Sequence, residues 1–386
     1  MFGNGEPWDR NRKLIRKALE LPSFRPVLED VIRHEMDMAF QNLETYDCTK
    51  PIKLGEAFLV PSINIIAGAL RGAPLPPVSE ERRALKSVAQ DMIDCDFRSL
   101  LTKFSFKCPV AAKVLSKLLF TDLVDVRNTL NTLRDEIRKW VEEIRLLSAA
   151  DDGALAAVKS SIIYSLLTEF GFTEVSEEKE AELVMTLNDM FIAGVTTVQS
   201  AFEFILMYLS KYPDEQKRAQ EEVERVAGSG DLTWAMQEKM PFVWACILEG
   251  LRLAVVVPTF IPHVLTQDMK VDEYTLHKGT IGAFSLCSVH RDEKYFTEPE
   301  LFDPMRHLED GKIKQIHSYR PYGFGRRSCV GWDMANIELF LMTTSVLRSF
   351  DFWSADNIPP QNMEMKSCFA QHLKNFTCFV IRRSHQ

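Results

Sequence analysis

The sequence has little of what defines several classes of protein. Its eight cysteines include no closely spaced pair and form no dense framework in 386 residues, which excludes a small disulfide scaffold and predicts free thiols. Basic residues are in deficit, because 46 Lys and Arg face 54 Asp and Glu, for a formal charge of -8. Proteins that bind nucleic acid generally neutralise phosphates with surplus positive charge. Small molecules and proteins are therefore the predicted partners.

Long apolar runs are also scarce. The first ten residues contain neither a basic nor an apolar segment, so no signal peptide or anchor is predicted there. The one long apolar stretch, residues 190–209, includes Gln199, Glu203 and several hydroxyls, which a lipid-facing helix would rarely carry. It is predicted to be a buried helix in the core of a soluble protein. With 46% hydrophobic residues, the chain has enough apolar side chains to form such a core.

The apolar periodicity predicts a mainly α protein with minor β structure. Helices are predicted over residues 8–20, 27–43, 54–70, 80–101, 123–147, 177–209 and about 329–350. Short β-prone runs, such as residues 270–274, 280–284 and the tail 368–382, follow residue 258. We therefore expect a single domain over residues 1–386, with a helical part to about 257 and a mixed β and loop part from about 258.

The segment 320–332, Arg-Pro-Tyr-Gly-Phe-Gly-Arg-Arg-Ser-Cys-Val-Gly-Trp, concentrates unusual residues. Gly323, Gly325 and Gly331 permit positive φ and close approach of the backbone to a flat ligand. Cys329 falls where the final helix is expected to begin, so free N–H groups and the helix dipole should favour its thiolate. From these residues alone, a buried free cysteine beside a glycine-rich loop is the commoner alternative.

The same segment resembles the haem-binding loop of the cytochromes P450. The matching order is an aromatic residue, two spacers, Gly325, a spacer, Arg327, a spacer, Cys329, a spacer and Gly331. The family usually has Phe where this chain has Tyr322, whose hydroxyl needs a partner. The resemblance implies that Cys329 is the axial ligand of the haem iron and that Arg327 binds a haem propionate, as a forked guanidinium suits.

A second resemblance concerns a pair of opposite charges on one helical face. Glu249 and Arg252 match the family's Glu-x-x-Arg helix, and Arg306 matches the arginine of a later Phe-x-Pro-x-Arg segment. Alone, such a pair is most often an ordinary surface ion pair. The resemblance implies a buried triad that fixes geometry beneath the haem.

The long apolar helix resembles the family's distal helix at Ala193, Gly194 and Thr197. Gly194 is expected to let haem and dioxygen approach, and the Thr197 hydroxyl to hold water that delivers protons. The acid that usually precedes this threonine is replaced by Thr196, and the nearest upstream acid is Asp189. The candidate catalytic residues are thus Thr197 and Thr196, and the alternative is a buried helix with two satisfied threonines.

Three further matches lie between residues 8 and 292. Trp8 and Arg12 fit the family's Trp-x-x-x-Arg pattern, whose side chains reach a propionate, and i,i+4 spacing puts both on one face. His263 takes the position of a residue that meets the other propionate, although an isolated histidine is equally often structural. The run Val289-His-Arg-Asp292 also matches the family.

By this resemblance, the chain is a haem-thiolate monooxygenase that inserts one oxygen atom of dioxygen into an apolar substrate, whether a steroid, lipid or xenobiotic. It implies an iron protoporphyrin cofactor and electrons from NADPH through a flavin-containing reductase, which could dock on a basic patch of Lys312, Lys314, Arg320 and Arg326. The matching segments resemble those of the animal microsomal branch of the family. This resemblance implies a location on the cytoplasmic face of the endoplasmic reticulum membrane. The fold is expected to lack the family's N-terminal anchor and first sheet.

Two other functions stay open. A haem-thiolate isomerase or peroxide-driven enzyme would not need the proton relay that Thr196 compromises. The other is an inactive, truncated haem-binding fragment, because loss of an N-terminal sheet would expose apolar surface.

Overall fold

A computed structural model describes residues 4–94, 122–150, 158–173, 175–258, 261–367 and 370–383, and in these ranges helices dominate. In chain order the helices are α1 Gly5–Leu19, α2 Phe24–Leu43, α3 Leu54–Arg71, α4 Glu80–Asp94, α5 Asp122–Ser148, α6 Ile162–Phe170, α7 Glu177–Lys211, α8 Pro213–Ala227, α9 Pro241–Ala254, α10 Leu286–His290 and α11 Trp332–Ser349. The prediction of a mainly helical fold is confirmed.

The predicted helices agree closely with these bounds. The prediction for residues 27–43 starts three residues late, and that for 177–209 ends two residues early. Residues 95–101 of the fourth predicted helix lie outside the described ranges. The short helices α6 and α10 and the polar helix α8 were not predicted, because short length and high charge both weaken apolar periodicity.

Helix α7 is the long central element. Ser176 caps it by accepting a hydrogen bond from the Lys179 N–H, and three glutamates in the first turn favour the positive end of the helix dipole. Its 35 residues extend about 50 Å at 1.5 Å each. Helices α3, α9 and α11 pack against it and enclose one continuous apolar core.

Within the described ranges, two helices are long and apolar enough to cross a membrane, α3 and α7. The apolar stretch of α3 is thus a second one beside the predicted 190–209. Of their most apolar windows, 78% and 67% respectively are buried within the protein. The prediction that 190–209 belongs to the core therefore agrees with its packing.

All strands of the described ranges follow residue 262 and form antiparallel pairs. Their bounds are β1 His263–Val264, β2 Met269–Val271, β3 Tyr274–Leu276, β4 Ile281–Gly282, β5 Leu308–Glu309, β6 Lys312–Ile313, β7 Phe350–Ser354, β8 Met365–Ser367, β9 Gln371–Leu373 and β10 Cys378–Arg382. The pairs are β1 with β4, β2 with β3, β5 with β6, β7 with β10 and β8 with β9. The predicted run 270–274 is in fact a hairpin, with Val271 opposite Tyr274.

The N-terminal helix α1 is held against α7 by polar contacts. The Asn11 side-chain amide donates to Glu182 Oε1 at 2.9 Å and to Thr186 Oγ1 at 3.3 Å. Arg10 forms an ion pair with the same Glu182. These contacts orient the face of α1 that carries Trp8 and Arg12.

Candidate functional site

The loop from Tyr322 to the start of α11 is a tight turn around Cys329. Gly323 and Gly325 have φ of 73° and 72°, in the left-handed region predicted for them. Gly331 is different, because its φ is -95° and it is the N-cap residue of α11, so it does not use the positive φ that glycine permits. The Cys329 N–H donates to the Tyr322 carbonyl at 2.9 Å and closes the loop.

Cys329 opens into a concavity of about 310 Å³. Leu248, Tyr319, Arg320, Tyr322, Trp332 and Asn336 are among the residues that line it. Burial raises the pKa of the Cys329 thiol, although the Gly331 N–H and the positive charge of Arg12 act in the opposite direction. Helix α11 begins at Trp332, three residues after Cys329, and the Gly331 N–H is the predicted backbone group that favours the thiolate. Together with Arg12, which was not predicted to act on the thiol, it does not outweigh burial. A bound metal ion deprotonates a coordinating thiol through its own charge.

Tyr322 has the hydroxyl partner that its departure from the family pattern required. Its Oη donates to Asn336 Oδ1 at 2.6 Å, and Asn336 is buried one turn into α11. Burial raises the pKa of Tyr322, so the hydroxyl keeps its proton and acts as donor. This hydrogen bond joins the first residue of the loop to the helix that follows the loop.

Three guanidinium groups surround the indole of Trp8. The Cζ atoms of Arg327, Arg326 and Arg12 lie 3.6, 5.5 and 5.8 Å from its ring centroid, within the range of cation–π attraction. Arg12 also reaches Ser328 Oγ at 3.5 Å, directly beside Cys329. The structure thus brings together Trp8, Arg12, Arg327 and Cys329, although helix α1 and the loop are more than 300 residues apart in the chain.

The electrostatics of this cluster suit an anionic ligand. Burial lowers the pKa of Arg12 and of Arg327, and for Arg327 the neighbouring charges of Arg326 and Arg12 lower it further. Arg326 is compensated by Asp9 at 3.0 Å, and Arg327 donates to Asn4 Oδ1 at 2.9 Å. Crowded guanidinium groups of this kind are well placed to bind a carboxylate in a bidentate manner.

A buried charge cluster is centred on Glu249, the residue that follows Leu248 of the concavity lining. Arg252 donates to both its carboxylate oxygens at 2.8 Å, and Arg306 donates to Oε1 at 2.8 Å. The Asp303 N–H and His307 Nε2 complete the set, at 3.1 and 2.9 Å. Burial acts to raise the pKa of Glu249, but the hydrogen bonds from Arg252 and His307 outweigh it and lower the pKa to about 2. The predicted triad is present, with His307 as a further member.

The two candidate threonines lie in the middle of α7 and bond to their own helix. Thr196 Oγ1 donates to the Ile192 carbonyl at 3.1 Å, and Thr197 Oγ1 to the Ala193 carbonyl at 2.6 Å. Thr196 is buried, whereas Thr197 is half-buried. Gly194 lies against α3, where an added Cβ would come within 2.5 Å of Ile66 Cδ1. Helix packing is thus a reason for Gly194 that the sequence did not reveal.

The remaining predicted residues are His263 and the members of the proposed basic patch. His263 lies in β1 opposite Gly282, and its predicted propionate contact stays a prediction. In the proposed basic patch, Glu309 lies opposite Lys312 in the β5–β6 hairpin and 3.8 Å from Lys314 Nζ. Arg320 Nη2 contacts His317 Nδ1 at 3.0 Å. The patch is therefore partly compensated by nearby groups.

Sequence reasoning missed Asn336 and His307, and it marked the run that contains His290 without giving that residue a role. The hydroxyl of Tyr322 indicated that a partner exists but not which residue provides it. His307 follows the predicted triad member Arg306 directly, and that adjacency was the signal available for it.

A flat, anionic cofactor with an iron centre fits these groups. Cys329 offers one sulfur ligand, Arg12 and Arg327 offer two guanidinium groups for carboxylates, and added Cβ atoms at Gly325 and Gly331 would meet no atom within 4 Å. The donor set matches what a haem held by one axial thiolate requires.

Comparison with known proteins agrees with this donor set. A model of the family "Cytochrome P450" matches residues 1–380. The steroid 17-alpha-hydroxylase/17,20 lyase of Squalus acanthias is 41% identical over 189 residues, 48% of this chain and 37% of that protein. Cytochrome P450 2U1 of Mus musculus is 38% identical over 187 residues (48% and 35%), and cytochrome P450 2J2 of Homo sapiens is 33% identical over 191 residues (49% and 37%). The matched stretch is less than two-fifths of each relative's length.

Proposed function

The chain belongs to the cytochrome P450 family, and we propose that it is a haem-thiolate monooxygenase that inserts one oxygen atom of dioxygen into an apolar organic substrate. The observation that carries the proposal is the convergence of Trp8, Arg12 and Arg327 on the Cys329 loop. When bound, haem supplies the redox chemistry that activates dioxygen.

The residues of this chain would bind and orient that group. Cys329 Sγ would hold the iron, Arg12 and Arg327 would bind the propionates, and the Trp8 indole contacts both guanidinium groups. The loop is held from two sides, by the Cys329 N–H bond to Tyr322 and by the Tyr322 bond to Asn336. These two hydrogen bonds hold the loop that would present the sulfur to the iron.

Thr197 is the residue that would hold and pass a proton. Its Oγ1 donates to the Ala193 carbonyl, so its lone pairs are available to accept a hydrogen bond from water. Thr196 carries no ionisable proton in the position where the family usually has an acid. Proton delivery then depends on water held by the Thr197 hydroxyl.

Replacing Thr197 tests that role. In a Thr197→Ala variant, oxygen consumption should continue while product yield per oxygen falls by about 10²-fold or more, as loss of a proton-transfer group predicts. Oxygen uptake, peroxide release and product are measured together with reductase and NADPH. Thr168→Ala, which removes an exposed hydroxyl bonded to the Ser165 carbonyl, is the matched control. Full coupling in Thr197→Ala would remove Thr197 from the mechanism.

A second candidate is a peroxide-driven or isomerising haem-thiolate enzyme. The observation that favours it is the absence of an acid at Thr196, because such reactions need no delivered protons. Labelled dioxygen discriminates the two. Label in the product with NADPH and reductase supports the monooxygenase, whereas turnover with peroxide alone supports the alternative.

The substrate class, location and electron donor are inferred from the relatives. One relative is named a steroid hydroxylase and lyase, and the others are cytochromes P450. A steroid, lipid or xenobiotic is therefore the proposed substrate, with NADPH and a flavin-containing reductase as electron source. The proposed location is the endoplasmic reticulum membrane on its cytoplasmic face.

The β5–β6 hairpin is the proposed docking surface for the reductase. Lys312 and Lys314 are exposed there, and Arg320 and Arg326 lie on the segment that leads to Cys329. A Lys312→Glu/Lys314→Glu variant should slow reductase-supported turnover about tenfold at low salt, because opposite charges steer association. Lys278→Glu in another hairpin is the control, and peroxide-supported turnover should not change. Unaltered turnover at low salt would contradict the assignment.

A further inference from the structure

Two buried histidines connect the charge cluster around Glu249 to the segment that leads into the Cys329 loop. His290 is the last residue of α10, and His307 ends a short 3₁₀ helix, Pro304–His307. Both side chains are at most 1% exposed. The mechanism proposed above uses neither of them.

The hydrogen bonds of His290 define its protonation state. Its Nε2 lies 3.1 Å from the Arg320 backbone N–H and must accept, since an amide nitrogen can only donate. Its Nδ1 lies 3.2 Å from the Arg252 carbonyl and must donate. Only the neutral ring with its proton on Nδ1 satisfies both contacts. Arg252 returns a hydrogen bond from Nη1 to the His290 carbonyl at 2.6 Å.

The surroundings agree with a neutral ring. Burial lowers the pKa of His290 to about 4, although the hydrogen bond to Arg252 acts to raise it. Of the charged neighbours, Arg252 and Arg291 lower this pKa and Glu249 raises it. The acceptor on Nε2 is therefore available to the Arg320 N–H at neutral pH.

His307 reaches the same segment from the other side. Its Nε2 donates to Glu249 Oε2 at 2.9 Å, because the carboxylate can only accept. Its ring meets the Tyr319 ring edge-on at 5.2 Å, while His290 stacks on Tyr319 at 5.8 Å with an interplanar angle of 15°. The ring of Tyr319 thus contacts both histidines, and the adjacent Arg320 is bonded to one of them.

The segment that the two histidines contact, Tyr319 and Arg320, forms part of the site. Tyr319 and Arg320 line the concavity into which Cys329 opens. Tyr319 lies three residues before Tyr322, whose carbonyl accepts the Cys329 N–H. The Glu249–Arg252 pair by itself ties α9 to the segment around Arg306. The two histidines extend that network to the first residues of the ligand loop.

We propose that His290 and His307 are positioning residues for the thiolate ligand, which anchor Tyr319 and Arg320 to the buried Glu249–Arg252 pair and so set where the Cys329 loop begins. This inference rests on the proposed haem-thiolate function. Groups that orient a metal ligand from behind typically change metal affinity or activity by 10–100-fold when they are removed.

Amide hydrogen exchange of the purified chain tests the anchoring without any cofactor. Exchange in a peptide covering residues 317–323 is compared in the native chain, His290→Leu, His307→Leu and a control, His277→Leu, whose side chain is 77% exposed. We expect exchange of this peptide to accelerate about tenfold or more in the first two variants only, with α7 unchanged. Equal exchange in all four proteins would overturn the anchoring.

Conservative variants then separate positioning from general destabilisation. His290→Gln keeps an acceptor near Nε2, and His307→Gln keeps a donor to Glu249, so both should recover slower exchange relative to the leucine variants. In the haem-loaded, reduced and carbon-monoxide-bound protein, the leucine variants should convert from the red-shifted thiolate band to the unshifted form about tenfold faster than the native chain.

Different results would contradict the proposed function and the positioning role of the two histidines. A native chain that gives no thiolate band contradicts the proposed function, while the exchange experiment still decides the anchoring. A native chain with the band, and leucine variants that hold it equally long, contradicts the positioning role alone.

Discussion

At Tyr322 the structure provides the hydrogen bond that the sequence predicted. Its extra hydroxyl predicted a buried hydrogen-bond partner, and Asn336 provides one at 2.6 Å. The partner itself was not predictable, because it lies 14 residues away on a helix whose phase depends on where that helix begins. The same limit explains Gly331, whose φ of -95° became known only once α11 was seen to begin at Trp332.

Single residues whose role comes from burial were the least predictable. His307 and Glu338 look like ordinary polar residues in the sequence, and only tertiary packing removes both from water. Glu338 lies on α11, and neither of its carboxyl oxygens has a hydrogen-bond partner among the described residues. A charged form there would be costly, so the group is expected to stay protonated.

This state of Glu338 predicts a pH dependence of stability. Burial raises its pKa to about 8 from an ordinary 4.5, so the folded chain holds a proton that the unfolded chain releases. Its contribution to stability is complete below about pH 4.5 and is lost as pH rises through about 8. A Glu338→Gln variant, neutral at every pH, should gain about 2–3 kcal/mol in unfolding free energy at pH 7 and little at pH 5.

Denaturant unfolding from pH 5 to pH 8 measures the effect. Glu221→Gln, on the exposed face of α8, is the control and should leave the pH profile as it is. Parallel profiles for the native chain and Glu338→Gln would show that this carboxyl is not neutral in the folded state.

At the scale of elements, periodicity predicted the long amphipathic and apolar helices well, because each buries a regular stripe. It failed for α8, whose charged sequence gives a weak signal, and for α10, which has only five residues. The predicted β-prone runs overlap β2, β3, β4, β9 and β10, whereas β1, β5, β6, β7 and β8 and all of the pairings were not predicted. Short strands of two or three residues take their register from turns and neighbours rather than from their own pattern.

The contact between α7 and α3 gives an element-scale prediction. Gly194→Ala should destabilise the fold by about 1–3 kcal/mol, because the new Cβ would lie 2.5 Å from Ile66 Cδ1. In an Ile66→Val background, which removes that atom, the same change should cost distinctly less. Thermal unfolding of the four proteins measures the coupling between the two positions.

Gly282→Ala is the matched control, since the nearest atom to a Cβ there is 4.0 Å away. An equal loss for Gly194→Ala in both backgrounds would show that packing against Ile66 is not what requires glycine at 194.

At the scale of the whole molecule, the sequence shows the order of the matching segments along the chain. It does not show which of these segments contact one another in the fold. Trp8 lies on α1 and Arg327 on the loop before α11, and their contact at 3.6 Å depends on how α1 docks on α7 through Glu182. Resemblance predicted that both reach the same ligand. The ion pair of Arg326 with Asp9 and the hydrogen bond from Arg327 to Asn4 could be seen only in the structure.

Cys329 is the residue that we propose as the thiolate ligand of a bound haem. The most direct measurement is the carbon-monoxide difference spectrum of the reduced, haem-loaded chain, compared with Cys329→Ala and with Cys48→Ala as a control at an exposed thiol. We predict a red-shifted thiolate band in the native chain and in Cys48→Ala, and its complete loss in Cys329→Ala. Absence of the band from the native chain, or its persistence in Cys329→Ala, would contradict the account.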